Sequence, residues 1–114
     1  MAKILVTGGT GFVGSNLILE LLNKKNEIIS FDNNSRNSFS NDLLLDNNVH
    51  LIEGDLTNPD DLKKIPNDID IVYHLAAING TKYFYDIPEK VLQVNLKATL
   101  NLMEWISSTD TKRI

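Results

Sequence analysis

The sequence predicts an α/β fold in which short strands build a parallel sheet and helices make the crossovers. Three observations point there. Short β-branched apolar runs alternate with longer stripes at helical spacing, a glycine-rich turn separates the first strand from the first helix, and the elements follow in the order βαβ(loop)βαβα.

Lys3 to Thr7 (Lys-Ile-Leu-Val-Thr) is too short for a helix and is closed by glycines, so it reads as a buried strand. Phe12, Val13, Leu17, Ile18, Leu21 and Leu22 then recur at helical spacing, predicting a helix from Gly11 to Asn23. Glu27 to Asp32 is a second strand. The stretch from Asn33 to Asn48 holds six Asn and three Ser around Leu43-Leu44-Leu45, which predicts a loop with one helical turn.

Val49 to Glu53 is a third strand. Asn58 is placed to cap a following helix, with Pro59 at its first position, Asp60 and Asp61 at its positive end, Lys63 and Lys64 at the other, and Pro66 as its stop. Ile69 to Leu75 is apolar almost throughout, as for a strand buried on both faces. Pro88 opens a helix to Ser107 whose apolar residues, among them Val91, Leu92, Leu96, Leu100, Leu102 and Met103, wrap most of its circumference. Such a helix requires cover on more than one side. Ile114 has the character of a first residue of a fifth strand.

The chain has 114 residues, 11 Lys plus Arg against 15 Asp plus Glu, and a net charge of −4. One domain spanning 1–114 is expected, with roughly 65% of the unfolded surface buried. Acidity without a basic cluster excludes a nucleic-acid-tracking surface. The absence of Cys excludes disulfide scaffolds, zinc ribbons and thiol catalysis. No apolar run reaches signal-peptide or membrane-spanning length, so the expectation is a cytoplasmic protein with no membrane partner.

Gly8, Gly11 and Gly14 in Thr7-Gly8-Gly9-Thr10-Gly11-Phe12-Val13-Gly14 have the spacing G-x-x-G-x-x-G. A turn of this kind between strand and helix lets backbone approach a pyrophosphate and presents N–H groups at a positive helix end. A tight structural turn needs the same residues; the flanking strand and helix favour nucleotide binding. Asp32 ends the second strand 18 positions after Gly14. A carboxylate there accepts from ribose hydroxyls and repels a 2′-phosphate, which favours NAD; Arg36 keeps NADP open. The other reading of Asp32 is a turn-forming Asp in Asp-Asn-Asn. His74 reads as a satisfied strand-end side chain, since the chain has two His and no spaced ligand set for a metal. Tyr83, Phe84 and Tyr85 read as aromatics covering the sheet end, with a place at the border of a ligand cavity as the other reading.

Residues 7–17, Thr-Gly-Gly-Thr-Gly-Phe-Val-Gly-Ser-Asn-Leu, resemble the start of an extended short-chain dehydrogenase/reductase, within it the nucleotide-sugar epimerase/dehydratase group. Asp32-Asn33-Asn34-Ser35-Arg36, Gly54-Asp55-Leu56-Thr57, His74-Leu75-Ala76-Ala77 and the segment from Val94 to Leu102 agree, in order, over essentially the whole chain. The resemblance implies a Rossmann-type three-layer fold with strand order 3-2-1-4, ending after the fourth strand and its helix. It implies a cofactor cradle of Gly8, Gly11, Phe12, Val13, Gly14, Asp32, Asn33, Asp55, Leu56, Leu75, Ala76 and Ala77. In it Asp55 and Leu56 hold the adenine, and the small residues of the Ala76-Ala77 turn admit the phosphates and inner ribose. Asn95 would hydrogen-bond backbone near the active site, or else is an exposed helix residue. The last helix pairs with its mate in several relatives, which its apolar character fits, as does burial against neighbouring elements; the fourth strand as an apolar sheet edge also invites pairing, so a homodimer or other self-association is expected.

The family's catalytic pair is Tyr-x-x-x-Lys with a preceding Ser or Thr. Here Tyr73, Tyr83 and Tyr85 are followed four positions later by Ala77, Ile87 and Glu89. The resemblance therefore implies the NAD-binding part of such an enzyme, with its hydride chemistry and sugar-nucleotide site completed by sequence beyond Ile114 and no turnover by this chain alone. A dinucleotide-binding module without catalysis, acting as a sensor or partner subunit, is the other reading that the same glycines and Asp32 allow.

Overall fold

Four strands run parallel in the order β3-β2-β1-β4. They are β1 (Lys3–Thr7), β2 (Glu27–Asp32), β3 (Val49–Glu53) and β4 (Ile71–His74), with helices α1 (Phe12–Asn23), α2 (Pro59–Leu62) and α3 (Pro88–Ser107) between and after them. The computed structural model describes residues 2–9, 11–33, 46–76, 85–109, 111 and 114. The helical turn expected around Leu43-Leu44-Leu45 lies outside the described residues, as do Tyr83 and Phe84.

The register sets Leu5 between Ile29 and Val72 and places Thr7 beside Phe31 and His74 at the common C-terminal end of the strands. Alternation along each strand then builds the three layers. Ile4, Val6 and Ile28 meet Ile18 and Leu21 of α1 on one face. Leu5, Ile29, Phe31 and Val72 meet Leu56, Leu62, Ile65, Ile69, Ala98 and Leu102 on the other. The first β-branched run is buried because it is a central strand with a helix layer on each side. The strand order and layering are those the resemblance implies.

α2 starts as its residues dictate: Asn58 accepts from the Asp60 N–H and Pro59 occupies the first turn. Its helical span is a single turn, ending at Leu62, so Lys63 and Lys64 follow the helix; each pairs with an acid three residues back, Asp60 and Asp61.

Two expectations need correction, those for β4 and for Tyr85. The β4 ladder is Ile71–His74, shorter than 69–75, and it is not buried on both faces: Val72 is 1% exposed and Tyr73 36%. The cause is the position of α1, which packs over β1 and β2 and leaves the outer strand's face open. α3 buries Val91, Ala98 and Leu102 against the sheet and leaves Leu92, Leu96, Leu100 and Met103 exposed, so the described residues of this chain cover one stripe of it and not the other. Tyr85 is exposed and covers nothing in the core.

Ser30 is the buried side chain without a partner among the described residues, its hydroxyl packed beneath Gly9. A buried, unbonded hydroxyl costs about 1–3 kcal/mol. Ser30→Ala should therefore raise the unfolding midpoint by about 4–8 °C per kcal/mol recovered. A lowered midpoint in a thermal melt would count against the unbonded state.

Candidate functional site

The glycine turn is shaped by backbone crowding. Gly8 has φ +71°, and its N–H donates to the Phe31 carbonyl at 2.9 Å. A Cβ on it would lie 2.9 Å from the Ala76 nitrogen, so the left-handed conformation and the close β4 turn both require glycine. Gly14, in the first turn of α1, sits against the Gly8 carbonyl, where a Cβ would overlap that oxygen. Gly11 caps α1 with no side-chain hydrogen bond, and a Cβ there would meet only the Gly8 oxygen, at 3.3 Å. Tight packing behind the turn thus combines with open space in front of it.

That space is a cleft of about 580 Å³ at the C-terminal end of the strands. Gly8, Gly11, Phe12, Val13 and Gly14 form one wall, Phe31, Asp32 and Asn33 the end of β2, and Gly54, Asp55, Leu56 and Thr57 the loop after β3. Leu75 and Ala76 line the β4 side, and Ile87, Lys90, Val94, Asn95 and Ala98 of the α3 region close it. Eleven of the twelve residues expected from the sequence line this one space; the twelfth, Ala77, lies outside the described residues. Phe12 and Val13 are 75% and 65% exposed, so they belong to the cleft and not to the core stripe of α1.

The first turn of α1 brings N–H groups that have no intrahelical acceptor to this wall, a setting that favours an anion. At the far end, the loop after β3 is held from behind. Asp61 accepts from the Asp55 N–H at 2.9 Å, and Asp55 Oδ1 accepts from the N–H and hydroxyl of Thr57 at 2.9 and 2.7 Å. Asn101 of α3 donates to the Leu56 carbonyl at 2.8 Å. The Asp55 N–H, aided by Lys64, holds the Asp61 carboxyl below its ordinary value. Lys3 does the same for Asp68 at the other end of the sheet.

The cleft can take an elongated ligand with an anionic centre near α1, a hydroxyl-bearing part near Asp32 and a flat apolar part against Leu56. An adenine dinucleotide has each of these parts. Among the described residues no group of acids and histidines could hold a metal ion, and no helix is long and apolar enough to cross a membrane.

Sequence reasoning passed over Phe31, Gly54, Thr57, Ile87, Lys90, Val94 and Ala98 as cleft residues. Lys90, Val94 and Ala98 share one face of α3, the face that also carries Asn95, and Ile87 caps the helix. Asn95 lines the cleft and is half-buried, so it is not a plain surface residue.

His74 lies behind the cleft, between Thr7 and Thr99. Burial pushes its pKa below 6.5. Below pH 6.5 the unfolded chain then takes up a proton that the folded chain resists, so this contribution to stability is complete above pH 6.5 and falls with pH down to the folded value. Denaturation midpoints should decline from pH 7 to pH 5.5 in the wild type and hold level in His74→Phe. Equal slopes would contradict the assignment.

Comparison with known proteins bears on the family and the fold. Residues 4–114 match the model of the NAD dependent epimerase/dehydratase family. A bifunctional UDP-glucose 4-epimerase and UDP-xylose 4-epimerase 1 of Pisum sativum is 31% identical over 98% of this chain and 35% of its own length. A 3-beta-hydroxysteroid dehydrogenase of Mycolicibacterium neoaurum is 33% identical over 90% of this chain and 28% of its own. The UDP-glucose 4-epimerase from Bifidobacterium longum, solved in complex with NAD+ and UDP, superposes with a TM-score of 0.84 at 28% identity, over 96% of this chain and 35% of that one. The chain spans about a third of the length of the relatives it matches. With its parallel β3-β2-β1-β4 sheet and glycine turn in the matched span, the chain belongs to the NAD dependent epimerase/dehydratase family.

Proposed function

We propose that this chain is the NAD-binding portion of a nucleotide-sugar epimerase- or dehydratase-like enzyme. The observation that carries the reading is one cleft bringing together Gly8, Gly11 and Gly14, Asp32, and Asp55 with Leu56. Gly8, Gly11, Phe12, Val13 and Gly14 take the pyrophosphate, Asp32 with Asn33 the adenosine ribose, and Asp55 and Leu56 the adenine. Leu75 and Ala76 leave room for the inner ribose. The nicotinamide supplies a hydride acceptor and donor when bound.

The sequence has no Tyr-x-x-x-Lys pair, and the substrate hydroxyl's proton acceptor is assigned to residues outside these 114. A nucleotide sugar is the substrate class in the complete enzyme, a choice resting on the resemblance and the UDP-sugar relatives; the similar steroid dehydrogenase leaves the reaction open. The exposed stripe Leu92, Leu96, Leu100 and Met103 is assigned to a second copy of the chain, which sedimentation would show as a dimer.

Calorimetric titration tests the cofactor. NAD should saturate the chain and NADP bind at least about 10-fold more weakly, a difference of ~1.4 kcal/mol set by Asp32 against a 2′-phosphate. Asp32→Ala should weaken NAD and remove the preference. No binding of either by the folded chain would sink the reading. NAD binding together with turnover of a sugar nucleotide by this chain would leave the cofactor site standing and overturn the division of labour.

A further inference from the structure

Two walls of the cleft, the Leu75–Ala76 turn and the Asn95 turn of α3, belong to different layers. His74 stands between them, and the polarity of its contacts is settled by groups that can act in one sense only. The Leu75 N–H is shared between the Thr7 carbonyl at 3.1 Å and the Thr7 hydroxyl oxygen at 3.0 Å, and the Ala76 N–H donates to the same hydroxyl at 3.2 Å. The Thr7 oxygen therefore accepts from the backbone. Thr7 is fully buried, and among the described residues the acceptor available to its own proton is His74 Nδ1, at 2.7 Å. Nδ1 is thus bare, and the neutral ring carries its proton on Nε2, which faces Thr99 Oγ1 at 3.1 Å. The Thr99 hydroxyl in turn donates to the Asn95 carbonyl at 2.9 Å. The chain runs one way, from the amides of the β4 turn to the backbone of α3.

We propose that His74, as the Nε2–H tautomer, is a positioning residue that couples the Leu75–Ala76 turn to the Asn95 turn and so sets the spacing of these two cleft walls. It is not among the residues that line the cleft. Its effect on cofactor affinity rests on the reading of that cleft as the dinucleotide site; the coupling itself does not.

The experiment is nitrogen–proton correlation spectroscopy on the 15N-labelled chain, with NAD affinity measured alongside. Wild type should show His74 protonated at Nε2. Thr99 is at the surface, so Thr99→Val should fold normally. It should shift the Asn95 amide resonance and raise the Kd for NAD about 2- to 10-fold, the worth of one hydrogen bond, while Thr99→Ser restores both. Thr7→Val should release His74 into a tautomer mixture and Thr7→Ser should not; if Thr7→Val fails to fold, His74→Phe tests the same link through the Asn95 resonance. An Nδ1–H ring in the wild type overturns the proposal. So does a Thr99→Val chain with unchanged Asn95 resonance and affinity. Should wild type fail to bind NAD while tautomer and resonances behave as stated, the coupling stands and the cofactor reading falls.

Discussion

Gly14→Ala should lower NAD affinity by at least about 100-fold, an effect of ~2.7 kcal/mol, in a chain that still folds. A Cβ at this position overlaps the Gly8 carbonyl oxygen and lies 2.8 Å from the Gly9 Cα and 3.0 Å from the Gly8 carbonyl carbon. All three are backbone atoms, so no side chain can rotate away. Either the first turn of α1 lifts from the sheet or the Gly8–Gly9 turn is pushed out, and both movements turn the helix N–H groups from the anion's place. Two terms oppose each other in stability. Alanine is better than glycine inside a helix by about 1 kcal/mol, whereas overpacking costs about 1–3 kcal/mol. A net loss of ~0–2 kcal/mol is expected in a urea melt. Titration showing wild-type affinity would mean that the turn does not hold the ligand.

Phe31→Ala should cost about 3–5 kcal/mol, the usual price of an aromatic ring removed from a core. Phe31 is 1% exposed, packs in the cluster with Leu5, Leu56 and Leu62, and also lines the cleft. Its ring lies so close under Gly54 that a Cβ on that glycine would come 2.6 Å from Cζ. The ring therefore supports the loop carrying Asp55 and Leu56 from below. A chain of this size has roughly 6–17 kcal/mol of stability, so the variant stays folded at room temperature with a much lower melting point. Loss of NAD affinity should accompany it, since Leu56 loses its backing. A melting point within a few degrees of wild type would show that the site collapses onto the gap.

The glycine turn and Asp32 were legible because their demands are written in residue type. A positive φ at Gly8 and backbone contact at Gly14 exclude other residues, and a parallel sheet brings strand ends to one edge, so residues 8, 32 and 55 converge without knowledge of side-chain packing. The exposed face of β4 was not legible. An apolar run states that burial would be favourable, not which layer is present to provide it, and α1 does not reach Tyr73. Lys90 was missed for a related reason: on a helix apolar nearly all round, the face turned to the cleft is set by docking, not by the pattern.

The sequence alone determined the order of elements, the parallel sheet, the glycine turn and the carboxylate at the end of β2, because each is a local requirement of backbone geometry or hydrophobic period. The tertiary structure decided which stripe of α3 is buried, that Phe12 and Val13 face the cleft, and that Thr7, His74 and Thr99 join into one polar chain. Those outcomes depend on how three layers sit against one another. Contacts between Thr7 and His74, 67 positions apart, arise when β1 and β4 lie side by side, and no local pattern records them.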